Sequence, residues 1–148
     1  MELEQMHKKF AADCFNGTWG LMEKIGRTPE ETHKMIAMAY ASLYHWGEIG
    51  TPLNLARSHW QISRVWAIIG EGQNAFNHAM VCLNLCEMDD FGPFDLAYAH
   101  EALARAAMIL GDDHAQAYHL GQAWEIGSQI PGAQEREYLF NDLKTISG

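Results

Sequence analysis

Residues 51–71 (TPLNLARSHWQISRVWAIIGE) and 92–112 (GPFDLAYAHEALARAAMILGD) write one plan twice, 41 residues apart. Seven of the 21 aligned positions are identical without a gap: Pro52/Pro93, Leu55/Leu96, Ala56/Ala97, His59/His100, Arg64/Arg105, Ile68/Ile109 and Gly70/Gly111. Self-similarity at a spacing of about 20–50 residues is the mark of stacked units, each burying its apolar side on the next.

Each copy reads as a helix. Pro52 and Pro93 stand at a first helical position, where the missing N–H has no partner to lose. Thr51 caps the first copy, with Gly92 as a weaker cap of the second. Gly70 and Gly111 close the helices after apolar runs. A short turn then leads into a second helix, which such a turn forces antiparallel to the first. Around this centre the pattern predicts helices over 2–25, 29 to about 46, 52–69, 72–88, 93–110, 113–127 and 133–145. Thr28-Pro29-Glu30-Glu31 is a capping-box start, residues 47–50 make a turn, and Pro131-Gly132 breaks the chain before the last helix. Period-two alternation is absent, so no strand is expected.

The first copy and the helix after it place His59, Ile62, Ser63, Trp66, Gly70, Ala75, Ala79 and Cys82 at a spacing that resembles a tetratricopeptide (TPR) unit. The second supplies His100, Leu103, Ala104, Ala107, Gly111, Leu120 and Ala123. It departs from the family pattern where His replaces Trp in both copies, Gln116 takes a small residue's place and Ala107 an aromatic's. The period also exceeds the family's usual spacing of about 34 residues. The resemblance implies an all-α, TPR-like right-handed superhelix of about seven helices in a single domain, 1–148. It would comprise a degenerate first pair (2–47), repeats over 51–88 and 92–127, and a capping helix (133–145). It further implies that the first helix of each pair lines a concave face.

Composition narrows the partners. A formal charge of −9 disfavours nucleic acid, which needs a basic face. The charged N-terminus does not read as a signal peptide, and no apolar run reaches the roughly 18 residues of a membrane span. Three cysteines, an odd number, suit reduced thiols and a cytoplasmic protein.

The helical wheel sets Asn54, Arg57, Gln61 and Arg64 opposite the apolar side of the third helix, flanked by Trp60. The equivalent stripe on the fifth helix carries Asp95, Tyr98, Glu101 and Arg105, and Asn16 and Glu23 of the first helix join it. Between Lys34 and Glu71 the formal charges are Glu48, Arg57 and Arg64 alone. Arginines so isolated need a carboxylate. Two readings stand side by side. Arg57 and Arg64 pair internally with Glu101, Asp95 or Glu23 and hold the repeats in register. Alternatively, Arg57, Trp60, Arg64, Tyr98, Glu101 and Arg105 form a groove for an acidic or carboxylate-bearing protein or peptide. No cofactor is expected, and apolar surface on the first or last helix offers a route to a homodimer.

Eight histidines raise metal chemistry as the rival. His78, Cys82 and Cys86 recur at i, i+4, i+8 on one helix face, a spacing that suits a soft metal; buried apolar packing of the thiols is the plainer reading. His45, beside Trp46, falls near the groove's edge. The alternative function is a small-molecule or metal-binding protein with its site in the same groove, including a metal-dependent hydrolase built from His45, His59, His100 and Glu101, with packed histidines as its competitor.

Overall fold

The computed structural model describes residues 1–146. Ser147 and Gly148, which the one-domain reading of 1–148 includes, lie outside the described residues. Among the described residues there are seven helices and no strand: α1 (Leu3–Glu23), α2 (Pro29–Ile49), α3 (Pro52–Ile69), α4 (Gly72–Met88), α5 (Pro93–Leu110), α6 (Asp113–Gly127) and α7 (Ala133–Leu143).

Local chemistry sets the ends. Thr28 and Glu31 exchange side-chain and backbone hydrogen bonds at the start of α2, and Thr51 and Asn54 do the same for α3. Gly70 and Gly111 adopt left-handed φ of 92° and 73° after α3 and α5, a conformation that costs glycine least. Helices α1 and α7 each stop two residues short of expectation, at Glu23 and Leu143, and the larger difference is at the end of α2. Residues 47–49 do not turn but continue α2, and the break falls at Gly50. A Cβ at Gly50 would sit 2.5 Å from the Trp46 carbonyl oxygen, whereas one at Gly47 meets nothing. Gly50 is therefore the residue the connection requires, and Thr51 begins capping α3 directly after it.

Three hairpins form, α1 on α2, α3 on α4 and α5 on α6, and each lies against the next. The odd-numbered helices also neighbour one another in the order α1, α3, α5, α7. The buried core is divided accordingly. One cluster joins Met22, Met35, Ala39, Ile62 and Val65. A second joins Ala56, Cys82, Leu83, Cys86, Ala99 and Leu103. A third joins Ala97, Ala104, Ala123, Ile130, Leu139 and Leu143. Helices α3 and α5 each serve two clusters, which requires them to be apolar or small on opposite faces. Helix α5 meets this with buried alanines at 97, 99, 102, 104, 106 and 107.

Short polar side chains tie the hairpins. The Ser42 hydroxyl donates to the Ala11 carbonyl across α1/α2, and Ser63 to Ala75 across α3/α4, each at 2.8 Å. Gln61 is 1% exposed and donates to the Phe15 carbonyl at 3.0 Å, tying α3 to α1. Part of the polar stripe expected on an open face of α3 is thus a buried seam.

Candidate functional site

Positions 41 residues apart lie side by side across the odd-numbered helices. The rings of Trp19 and Trp60 sit 5.7 Å apart, with planes 33° from parallel. The Trp60 indole N–H donates to Glu101 Oε1 at 3.0 Å. Asp142, one further step along, stands 3.7 Å from the Arg64 guanidinium that also serves Glu101. The same offset that relates the two sequence copies thus reaches from α1 to α7.

Glu101 is the centre of this arrangement. It is fully buried and accepts from Trp60, from Arg64 at 3.2 Å and from Arg105 Nε at 2.8 Å. A carboxylate removed from water needs such donors. Arg105 extends the network to the C-terminal helix, donating to the Asp142 carbonyl at 3.1 Å and the Thr145 hydroxyl at 2.8 Å. The Arg64 guanidinium also lies 5.8 Å from the centre of the Trp60 ring. Arg57 grips Asp95 with two parallel bonds of 2.9 and 3.1 Å. Asp95's hydrogen bonds hold the Arg57 guanidinium more firmly protonated, its pKa raised against the opposing effect of burial. Internal pairing therefore occurs for Arg57, Arg64 and Arg105, but Glu23 takes no part in it.

Beside the network lies a cleft of about 510 Å³. Phe15, Trp19 and Glu23 come to it from α1, Ala56, Arg57 and Trp60 from α3, Phe94, Asp95 and Tyr98 from α5, and Tyr138 and Asp142 from α7. Cys82 of α4 also lines it. Trp60 and Phe94 meet the Tyr98 ring edge to face at 5.6 and 5.0 Å. The Tyr98 hydroxyl donates to Asp142 at 2.7 Å; burial first, then that carboxylate, raises its pKa well above the ordinary phenol value.

Of the expected site residues, Arg57, Trp60, Asp95 and Tyr98 line the cleft, and Arg64, Glu101 and Arg105 form the network bonded to its wall. Asn54 does neither: its side chain closes the N-terminus of α3, so it is a capping residue. Trp19, Tyr138 and Asp142 were not expected. Subtracting 41 from Trp60, or adding 41 to Glu101, would have found the first and last.

Six of the eight histidines pair with one another. His59 and His78 approach Nδ1 to Nδ1 at 3.0 Å, and His100 and His119 repeat that contact 41 residues on, again at 3.0 Å. His7 and His45 make a third pair at 2.8 Å between α1 and α2, apart from the cleft's lining. In a pair of neutral rings one Nδ1 carries the proton and the other accepts it. The Trp66 indole N–H donates to the Tyr40 hydroxyl, which lies 2.9 Å from His78 Nε2. Tyr40 donating onward makes His78 the donor to His59. Burial and the neighbouring imidazole lower His59 and His100 to about 4, and burial lowers His78 and His119 as well. His45, His59 and His100 thus belong to three separate pairs, and Glu101 is occupied by its donors. The hydrolase constellation is not assembled. Cys82 and Cys86 pack in the core, and their mutual hydrogen bond and burial raise the Cys82 pKa. Among the described residues no three His, Cys, Asp or Glu side chains are grouped to hold a metal ion.

Comparison with protein-family models, with curated proteins and with solved structures finds no match for the chain.

Proposed function

We propose that the chain is a TPR-like helical-repeat protein that binds a protein or peptide segment in the cleft. The observation that carries this reading is the cleft's construction: all four odd-numbered helices contribute, with six large aromatic side chains and four charged ones at one surface. Aromatic walls with a few placed polar groups are the usual composition of binding sites for protein segments. Three unpaired thiols favour the cytoplasm, and no helix among the described residues is long and apolar enough to cross a membrane. The acidic form of the ligand has weaker support. Asp95 already neutralises Arg57 and holds its Nε/Nη2 edge, leaving a further carboxylate only the Nη1 side, and Arg64 and Arg105 are committed to Glu101.

Selection of random linear peptides against the full chain tests the proposal. Enriched peptides that lose binding to Tyr138→Ala, whose ring is exposed, and to Trp19→Ala, once its helicity is checked by circular dichroism, support it. Absence of enrichment, or binding indifferent to both changes, overturns it.

A further inference from the structure

The charge of the cleft runs opposite to what its arginines suggest. Its lining holds three carboxylates and one guanidinium. Asp95 binds Arg57 along its Nε/Nη2 edge with both carboxylate oxygens, so within that pair the two charges offset each other. Glu23 and Asp142 remain. Glu23 is exposed at the end of α1 and has no hydrogen bond or ion pair among the described residues. Asp142 accepts from Tyr98 through one oxygen, while Arg64 stands off the other at 3.7 Å.

The walls favour the same sign. Aromatic faces attract cations, and the chain already places its own Arg64 over Trp60. A long basic side chain has the complementary form, an apolar stem that packs on rings and a charged head that seeks a carboxylate. An acidic side chain would bring a like charge towards Glu23 and Asp142, with no unpaired guanidinium in the lining to offset it.

Resting on the peptide-binding reading, the geometry points to a basic anchor: a lysine or arginine side chain of the partner segment. Its stem lies against the aromatic wall of Trp19 and Tyr138. Its charged head meets Glu23, with Asp142 adding to the negative field.

The test uses the peptides enriched above, resynthesised with a fluorescent label and titrated by anisotropy. The proteins are wild type, Glu23→Gln and, as a remote control, Glu125→Gln on the exposed side of α6. The enriched peptides should share a lysine or arginine. Replacing it with norleucine should weaken binding to wild type by about tenfold, the size expected of one charge-assisted contact, but to Glu23→Gln by less than about threefold. Glu125→Gln should behave as wild type. Cleft-dependent peptides that lack a basic residue, or a norleucine penalty equal on all three proteins, would overturn the basic anchor and leave peptide binding standing. Absence of any peptide sensitive to Tyr138→Ala or to Trp19→Ala would remove both.

Discussion

Acid should loosen this protein well before its carboxylates titrate. The perturbation is a fall in pH through the range of free histidine. In the folded chain His59 and His100 are lowered from 6.5 to about 4, by burial and then by the imidazole facing each of them. The unfolded chain therefore takes up these protons first as pH falls. The stability contributed by the neutral rings is complete above about 6.5 and is lost between there and about 4. At about 1.4 kcal/mol per pH unit the full value is roughly 3 kcal/mol per ring. Water reaches part of these sites, and halving for that screening leaves about 1.5 kcal/mol each, or roughly 3 kcal/mol together. His78 and His119, lowered by burial, act in the same direction. Against a total stability on the order of 10 kcal/mol the change is large. Urea unfolding followed by far-ultraviolet circular dichroism, at about pH 7.5 and about pH 4.5, should resolve it. The double variant His59→Gln/His100→Gln keeps beside each partner ring an amide that can accept or donate a hydrogen bond but cannot titrate. It should lose at least about half of the wild-type pH dependence. Equal pH dependence in the two proteins, or a wild type whose stability is flat or rises towards acid, would refute the reasoning.

Glu101→Gln should cost about 3–4 kcal/mol in the same urea assay, because Arg64 and Arg105 would keep their charges beside a neutral amide; a cost below about 1 kcal/mol would mean the network contributes little. Gly127→Ala places a Cβ against the Leu139 and Phe140 side chains and should destabilise the α6/α7 contact by about 1–3 kcal/mol, read as faster amide exchange in α7. Arg57→Ala breaks a half-exposed ion pair and should cost about 1 kcal/mol or less. It also frees Asp95, so peptides with a basic anchor should bind as well or more tightly, whereas loss of their binding would return the site to an acidic ligand.

The helices were legible because their ends carry local chemistry. Thr28, Thr51, Pro93, Gly70 and Gly111 each act on neighbours within a few residues, so the sequence suffices to read them. Gly47 misled because a solvent-facing glycine is tolerated inside a helix, and nothing local distinguishes it from Gly50. The arginine stripe was legible as a set of residues but not as a set of bonds. A wheel gives the direction of a side chain from one helix, whereas Arg57 to Asp95 and Arg64 to Glu101 depend on how two helices meet. Asn54 shows the same limit, since a polar residue in the first turn serves equally as a cap or as a surface contact. The repeated imidazole pair was half visible in His59 and His100. Its other half, His78 and His119, needed the offset to be carried into the second helices, where surrounding identity is low.

The side-by-side placement of positions 19, 60, 101 and 142 bears on how such a chain can change in length. A constant offset makes whole units the natural currency of insertion and deletion. A second copy of residues 51–91 spliced in after Phe91 would set Trp60 beside another Trp60, much as Trp19 lies beside Trp60 now. The inserted unit would meet Asp95 and Glu101 in the native register. The original Arg57 and Arg64 would instead face a second Asn54 and a second Trp60 and lose their carboxylates, so each added unit would leave two unpaired guanidiniums. An insertion of a few residues inside α3 or α5 would rotate one side of every junction and break them all. Lengthening by duplication would therefore preserve the stack while altering the charge of the cleft, leaving the scaffold free to grow and its binding preference free to drift.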